Sequence, residues 1–226
     1  MQIIYGYKPY QLFLIQSISK KDIIFIKNVC MSYILLTGFE PFGGYDINSS
    51  WELVSSLPDA IGKFECTKLR LPVEFGTVSD LVPNILSKYN PDVVLSFGQS
   101  TSEKLRIERV AINIDDARMP DNSGHAPIDK PIYTNGENSY CATLPIKIMK
   151  AAVEQVGVPV VISNSAGTYV CNHTFYNWLY WCEKLRYNTK VGFIHLPRLP
   201  EQVKAGVLSM PLGYMKNAVI EIIKNL

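Results

Sequence analysis

Between residues 158 and 178 the chain reads Val-Pro-Val-Val-Ile-Ser-Asn-Ser-Ala-Gly-Thr-Tyr-Val-Cys-Asn-His-Thr-Phe-Tyr-Asn-Trp, a run that few folds can hold. Val158 to Ile162 is β-branched and short, as in a buried strand. Ser163 to Gly167 is small and polar, as in a turn. From Cys171 onward the period changes. Phe175, Trp178, Leu179, Cys182 and Leu185 recur at steps of three and four and form one apolar helical face. The order strand, loop, helix puts Cys171 at or near a helix start, where the positive end of the helix dipole favours thiolate. One reading of Cys171 is a catalytic nucleophile. The other is a small buried hydrophobe, the commoner fate of a free cysteine.

The same alternation runs through the chain from Ser32. Ser32 to Thr37 reads as a buried strand, and Gly38 to Gly44 as a loop that carries Phe39 and Phe42. These two rings suit either the wall of an apolar pocket or an anchor for the loop. The loop lacks the spacing of a phosphate-binding glycine motif. A helix follows over Asn48 to Ser56, with Ser49 or Ser50 expected at its cap. Phe64 to Leu71 is predicted as a strand, and Val78 to Tyr89 as a helix in which Pro83 is tolerable only near the first turn. Val93 to Phe97 is a strand that runs into the polar loop Gly98 to Thr101, where α/β proteins place ligand contacts. Leu105 to Ile114 reads as one strand with Glu108 inside it. The ordinary reading of that glutamate, next to Arg109, is a solvated edge charge.

Asp115 to Glu137 is a long polar segment with Pro120, Pro127 and Pro131, a length that suits a lid or binding loop. Leu144 to Val156 is expected to be a helix with Pro145 in its first turn. Lys190 to Ile194 is a strand that ends at His195, and Met210 to Asn225 is a final helix. Strands alternating with helices predict one α/β domain, with a mixed, largely parallel sheet and helices on both faces.

Composition narrows the function classes. With 226 residues, 47% hydrophobic and 19% charged, the chain is long and apolar enough for a proper core. The net charge of +2 resides in residues 1–30, where Lys8, Lys20, Lys21 and Lys27 face only Asp22. The remainder has 18 basic against 19 acidic residues, which gives no nucleic-acid surface. The apolar runs of residues 1–30, Leu12 to Ile15 and Ile23 to Ile26, are too short for an export signal or a membrane span. Residues 1–30 are expected to lie outside a core domain of residues 31–226, with Met31 a candidate for the true start. Cysteines 30, 66, 141, 171 and 182 include no Cys-x-x-Cys pair, so neither a disulfide framework nor a zinc site is expected. The expected compartment is the cytoplasm.

A nucleophilic cysteine needs a base within reach and a third group to hold that base. The chain has three histidines. His125 lies in the proline-rich segment. His173 is two residues from Cys171, so on a helix it points away from it. His195, at a strand end, is the base by elimination, and Glu108 is the candidate to orient it. A rival nucleophile is Ser165, since Ser163-Asn164-Ser165-Ala166-Gly167 nearly fits Gly-x-Ser-x-Gly of a serine hydrolase.

Five motifs, in order, carry a resemblance. They are Gly38-Phe39-Glu40-Pro41-Phe42-Gly43-Gly44, Glu108-Arg109-Val110-Ala111-Ile112-Asn113, Ala117-Arg118-Met119-Pro120-Asp121-Asn122, Ser165-Ala166-Gly167-Thr168-Tyr169-Val170-Cys171-Asn172-His173 and Gly192-Phe193-Ile194-His195-Leu196-Pro197. From Met31 onward the chain resembles pyroglutamyl peptidase type I, also called pyrrolidone-carboxylate peptidase. The resemblance implies a single-domain three-layer α/β/α sandwich, commonly a homotetramer, with no cofactor. It implies a cysteine peptidase that removes an N-terminal pyroglutamyl residue from peptides, with the triad Cys171, His195 and Glu108. It also implies a ring pocket formed by Phe39, Phe42, Met119, Tyr169 and Val170, with Asn48 and Gln99 close by and Arg118 near the oxyanion site. Where the family usually has proline after the asparagine, Ser49 follows Asn48 here. The related nucleoside phosphorylases offer a second rival, but no arginine cluster for phosphate is evident.

Overall fold

The computed structural model describes residues 31–226, so the expectation for residues 1–30 lies outside the described residues. The sheet is built from β1 (Ser32–Phe39), β2 (Ala60–Ile61), β3 (Phe64–Leu71), β4 (Val93–Gln99), β5 (Leu105–Glu108), β8 (Val160–Ser163) and β9 (Lys190–Leu196). Their order across it is β2-β3-β1-β4-β9-β5-β8. β3, β1, β4 and β9 are mutually parallel, β5 is antiparallel to β9, and β8 is parallel to β5. A separate two-stranded sheet pairs β6 (Val110–Ile112) with β7 (Ser139–Cys141). The expected mixed, largely parallel sheet is what forms.

Alternation along each central strand feeds two cores. Ile34 and Leu36 of β1, Leu95 and Phe97 of β4, and Ile194 and Leu196 of β9 pack to one side. There they meet α1 (Ser49–Ser56), α3 (Ile146–Gln155) and α5 (Leu212–Lys224) through Leu53, Met149, Val153, Met215 and Val219. Leu35, Val94, Val191 and Phe193 face the other side, against Val78, Val82 and Leu86 of α2 (Phe75–Tyr89) and Phe175, Trp178 and Leu179 of α4 (Val170–Lys184). The result is the three-layer sandwich.

Several local expectations change. β1 and β4 run on to Phe39 and Gln99, so Phe39 is a strand residue and Gly98 is not in a loop. The strand expected over Leu105 to Ile114 breaks at Arg109, whose N–H donates to the Ser163 carbonyl while its own carbonyl accepts from Ala142 N–H. Glu108 therefore ends a strand of the main sheet, fully buried rather than on a solvated edge. The α1 cap is Asn48, not a serine: its Oδ1 accepts from Ser50 N–H at 3.0 Å. Helix α2 begins three residues earlier than its periodicity suggests and continues through Pro83. The cause is distant in sequence, because Asp121 Oδ2 accepts from the Phe75 N–H at 2.9 Å.

The polar segment from Asp115 to Glu137 is tied down rather than free-standing. Asp121 Oδ1 also accepts from the backbone of Ser123 and His125, and Asn122 donates to Glu40 and to the Pro41 carbonyl. This fastens the segment to the Gly38–Gly44 loop, over the ends of β1 and β4.

Candidate active site

The parity that builds the cores also builds the site. With Leu105 and Ile107 facing α3 and α5, their alternates Arg106 and Glu108 face the α4 side. His195 alternates with Ile194 and Leu196 and faces the same way, as Gly98 does between Phe97 and Gln99. Gly98 and Arg106 flank His195 on its two neighbouring strands, β4 and β5. One layer of side chains from three strands thus meets the first turn of α4.

His195 Nδ1 lies 2.8 Å from Glu108 Oε1. Glu108 has no exposed surface, and its Oε2 has no hydrogen-bond partner among the described residues. Oε1 is thereby the oxygen that carries the carboxylate's contacts, and an Nδ1–H donated there leaves Nε2 for a second partner. Cys171, which lines the same cavity as His195, is the group placed to be that partner. Burial pulls the His195 pKa down, but the charge of and hydrogen bond with Cys171, and then the same two effects from Glu108, outweigh it and raise it to about 9. The imidazolium form of His195 is therefore favoured here.

Cys171 is the second residue of α4, as the strand-loop-helix order predicts. The helix has no side-chain cap at Tyr169 and no acidic residue in its first turn. Its leading N–H groups are left for a ligand, and its dipole acts on the thiol without competition. The sulfur has room because of Gly98: a β-carbon there would stand 2.7 Å from Cys171 Sγ and 2.9 Å from Phe193 Cζ.

Two hollows open from Cys171. The first is a narrow slot lined by Phe39, Phe42, Asn48, Gln99, Tyr169 and Val170. Phe42 and Tyr169 stand with ring centroids 6.1 Å apart, and Phe39 packs on Phe193 at 6.5 Å. Both earlier readings of the phenylalanines hold, since Phe39 is core and slot wall at once. Gln99 Oε1 accepts from the Ser49 N–H at 3.0 Å and from Gln202 Nε2 at 2.7 Å. Its oxygen is taken, so its amide nitrogen is the group left to donate. A proline in place of Ser49 could not make the first of these bonds. Asn48 is held at both ends, its Oδ1 accepting from Ser50 and its Nδ2 donating to the Glu40 carbonyl, and so shapes the slot.

The second hollow is a cavity of about 480 Å³ that shares Phe42, Gln99, Tyr169 and Cys171 with the slot and is also reached by His195, Arg106, Asp116 and Arg118. Met119 lines a smaller adjoining recess with Phe42 and Arg118. Ser165 also borders the large cavity, but its hydroxyl accepts from the Gly167 N–H. His173 turns away from the thiol, as expected: its ring bridges Asp115 Oδ2 at 2.8 Å and Ser79 Oγ at 2.9 Å. This ties the first turn of α4 to α2. Among the described residues no group of three His, Cys, Asp or Glu could hold a metal ion. Among them, too, no helix is long and apolar enough to cross a membrane.

Sequence reasoning missed Gly98 and Arg106. A glycine within a strand marks a close approach of something bulky, which was the available signal for the first. Arg106 had none, because its importance comes from pairing opposite His195, which lies 89 residues away in sequence (195 − 106).

The sequence and the fold are matched by comparison with known proteins. A family model described as pyroglutamyl peptidase matches residues 32–225. The pyrrolidone-carboxylate peptidase of Lacticaseibacillus paracasei is 48% identical over 171 residues, 75% of this chain and 80% of that one. That of Fusobacterium nucleatum is 45% identical over 199 residues, covering 85% and 93%. Among solved structures, the pyroglutamyl peptidase I of Bacillus amyloliquefaciens superposes with a TM-score of 0.82 at 34% identity, over 86% of this chain and 96% of that one. The pyrrolidone carboxyl peptidase of Thermococcus litoralis gives 0.83 at 34%, over 86% and 92%.

Proposed function

The chain belongs to the pyroglutamyl peptidase family, and we propose that it removes N-terminal pyroglutamyl residues from peptides with Cys171 as nucleophile, His195 as base and Glu108 as its orienter. The observation that carries this reading is His195, held on one side by a buried carboxylate and on the other by a thiol at a helix start. A pyroglutamyl group suits the slot. It is a flat, uncharged ring with one lactam N–H and one C=O, and it needs apolar walls and a donor rather than a carboxylate for an ammonium.

His195 takes the Cys171 proton, and the thiolate attacks the pyroglutamyl carbonyl. Backbone N–H groups at the start of α4, with Arg118, stabilise the oxyanion; one such donor is typically worth roughly 3 to 4 kcal/mol. The imidazolium protonates the leaving amine, and water then hydrolyses the thioester. Gln99 meets the lactam carbonyl, and a proline substrate that lacks this carbonyl leaves the donor unpaired. We propose further that the working form is a cytoplasmic homotetramer, in line with the resemblance; sedimentation velocity tests the assembly.

Cys171→Ala tests the core of the proposal. It is expected to abolish release of a pyroglutamyl-amide reporter while leaving the circular dichroism spectrum intact. Full activity in this variant would mean another nucleophile, with Ser165 the first to substitute.

A further inference from the structure

On the peptidase reading the pyroglutamyl ring lies against the slot walls beside Cys171, so whatever follows the scissile bond extends into the larger cavity that adjoins it. Arg106 lines that cavity and stands opposite His195, the group that protonates the leaving amine. Its guanidinium is fixed. Nε lies 3.5 Å from Glu108 Oε1, and Nη2 donates to Ser163 Oγ at 2.6 Å and to the Ser165 carbonyl at 3.1 Å. A guanidinium carries five N–H donors in a rigid fork. The two on Nη2 are thereby used, Nε faces Glu108 at ion-pair distance, and the two on Nη1 have no acceptor among the described residues. The other charges of the cavity wall are Arg118 and Asp116, the latter accepting from the Asp129 N–H at 3.3 Å. Two cations against one anion leave the wall net positive.

We propose that Arg106 reads the residue that follows the pyroglutamyl group and favours an acidic side chain there, its Nη1 donors meeting the carboxylate. The inference rests on the peptidase reading above and names the substrate class of that site. Pre-orientation is what makes Arg106 selective, since a fork already held by two hydrogen bonds and an ion pair loses little freedom on binding.

The test compares kcat/KM for three pyroglutamyl tripeptide amides that differ only in the second residue, Glu, Ala or Lys. The wild-type protein is expected to prefer Glu over Lys by about tenfold, as for a charge-assisted contact, with the preference shrinking as salt is raised. Arg106→Gln should bring the ratio close to one, and Arg106→Lys should retain part of it. A ratio is read because Arg106 also touches Glu108, so overall activity can fall without moving the preference. A wild-type ratio of one, or an undiminished ratio in Arg106→Gln, overturns the proposal. Should Arg106→Gln be inactive, the wild-type salt dependence and Arg106→Lys decide. Cleavage of the Ala peptide without any preference refutes this inference alone, whereas cleavage of none of the three refutes the peptidase reading with it.

Discussion

Gly98 and Cys171 exclude any side chain between them: a β-carbon on Gly98 would stand 2.7 Å from the Cys171 sulfur, inside van der Waals contact. Gly98 is also the cross-strand neighbour of His195. Gly98→Ala is therefore expected to displace the thiol from the base. A misplacement near 1 Å can cost about 100-fold in rate, and overpacking costs about 1–3 kcal/mol of stability. Kinetics and a thermal melt on one preparation check both, and unchanged kcat/KM would show that the thiol has slack.

Glu108→Gln should lower activity by something on the order of 10² to 10⁴, less than loss of Cys171 or His195. It should also move the alkaline limb of the pH–kcat/KM profile to lower pH. In the native site His195 is raised from 6.5 to about 9, with Glu108 among the causes. A raised pKa also means that the imidazolium adds stability in full below pH 6.5 and that this contribution is lost as pH rises through about 9. Melting temperatures across this window should fall less steeply in the variant.

Acid stability has its own determinant in Asp121. Burial pushes its pKa up, but hydrogen bonds from Phe75, Ser123 and His125 outweigh that and hold it below the usual 3.8. The sign is opposite to that of His195. This carboxylate stabilises the fold above pH 3.8 and loses that contribution as pH falls through its lowered value. Asp121→Asn should destabilise the protein at neutral pH by about 1–3 kcal/mol and flatten its acid denaturation curve.

Gln99→Glu keeps the acceptor that holds Ser49 and Gln202 but removes the donor proposed for the lactam carbonyl. The expected result is a 10- to 100-fold loss, roughly, in kcat/KM for a pyroglutamyl reporter with little change in melting temperature. Ser49→Pro approaches the same contact from the other side. The first helical position tolerates proline, but Gln99 then loses one of its two anchors. A KM that does not move in either variant argues against Gln99 as the reader of the ring.

Alkylation should divide the described cysteines. Burial pushes the Cys182 thiol up to about 12 and raises that of Cys66, whereas Cys141 is exposed. Iodoacetamide near pH 8 is expected to label Cys171 and Cys141, to spare Cys66 and Cys182, and to abolish activity in step with Cys171 alone. Peptide mass spectrometry against residual activity provides the check.

Much of the fold was legible because its strands are apolar on both faces and its helices carry one apolar stripe, patterns that local sequence must contain for a sandwich to form. The placing of Cys171 at the start of α4 followed from such patterns, and the end of Phe64–Leu71 from Pro72, which follows it. Local sequence could not show that Asp121 would begin α2, 46 residues away, or that the Arg109 carbonyl would leave the β5 ladder to accept from Ala142. Both depend on partners supplied by the finished fold.

The site divides in the same way. The residue types and their motifs determined which groups could serve: a thiol at a helix start, a histidine after a strand, an acid within one. Only the tertiary structure decided that Glu108 is buried rather than solvated, that it shares a face with His195, and that Gly98 leaves room for the sulfur. The physical reason is that burial and strand pairing belong to neighbours. β5 is covered because β9 and β8 flank it, and its own four residues carry no record of either.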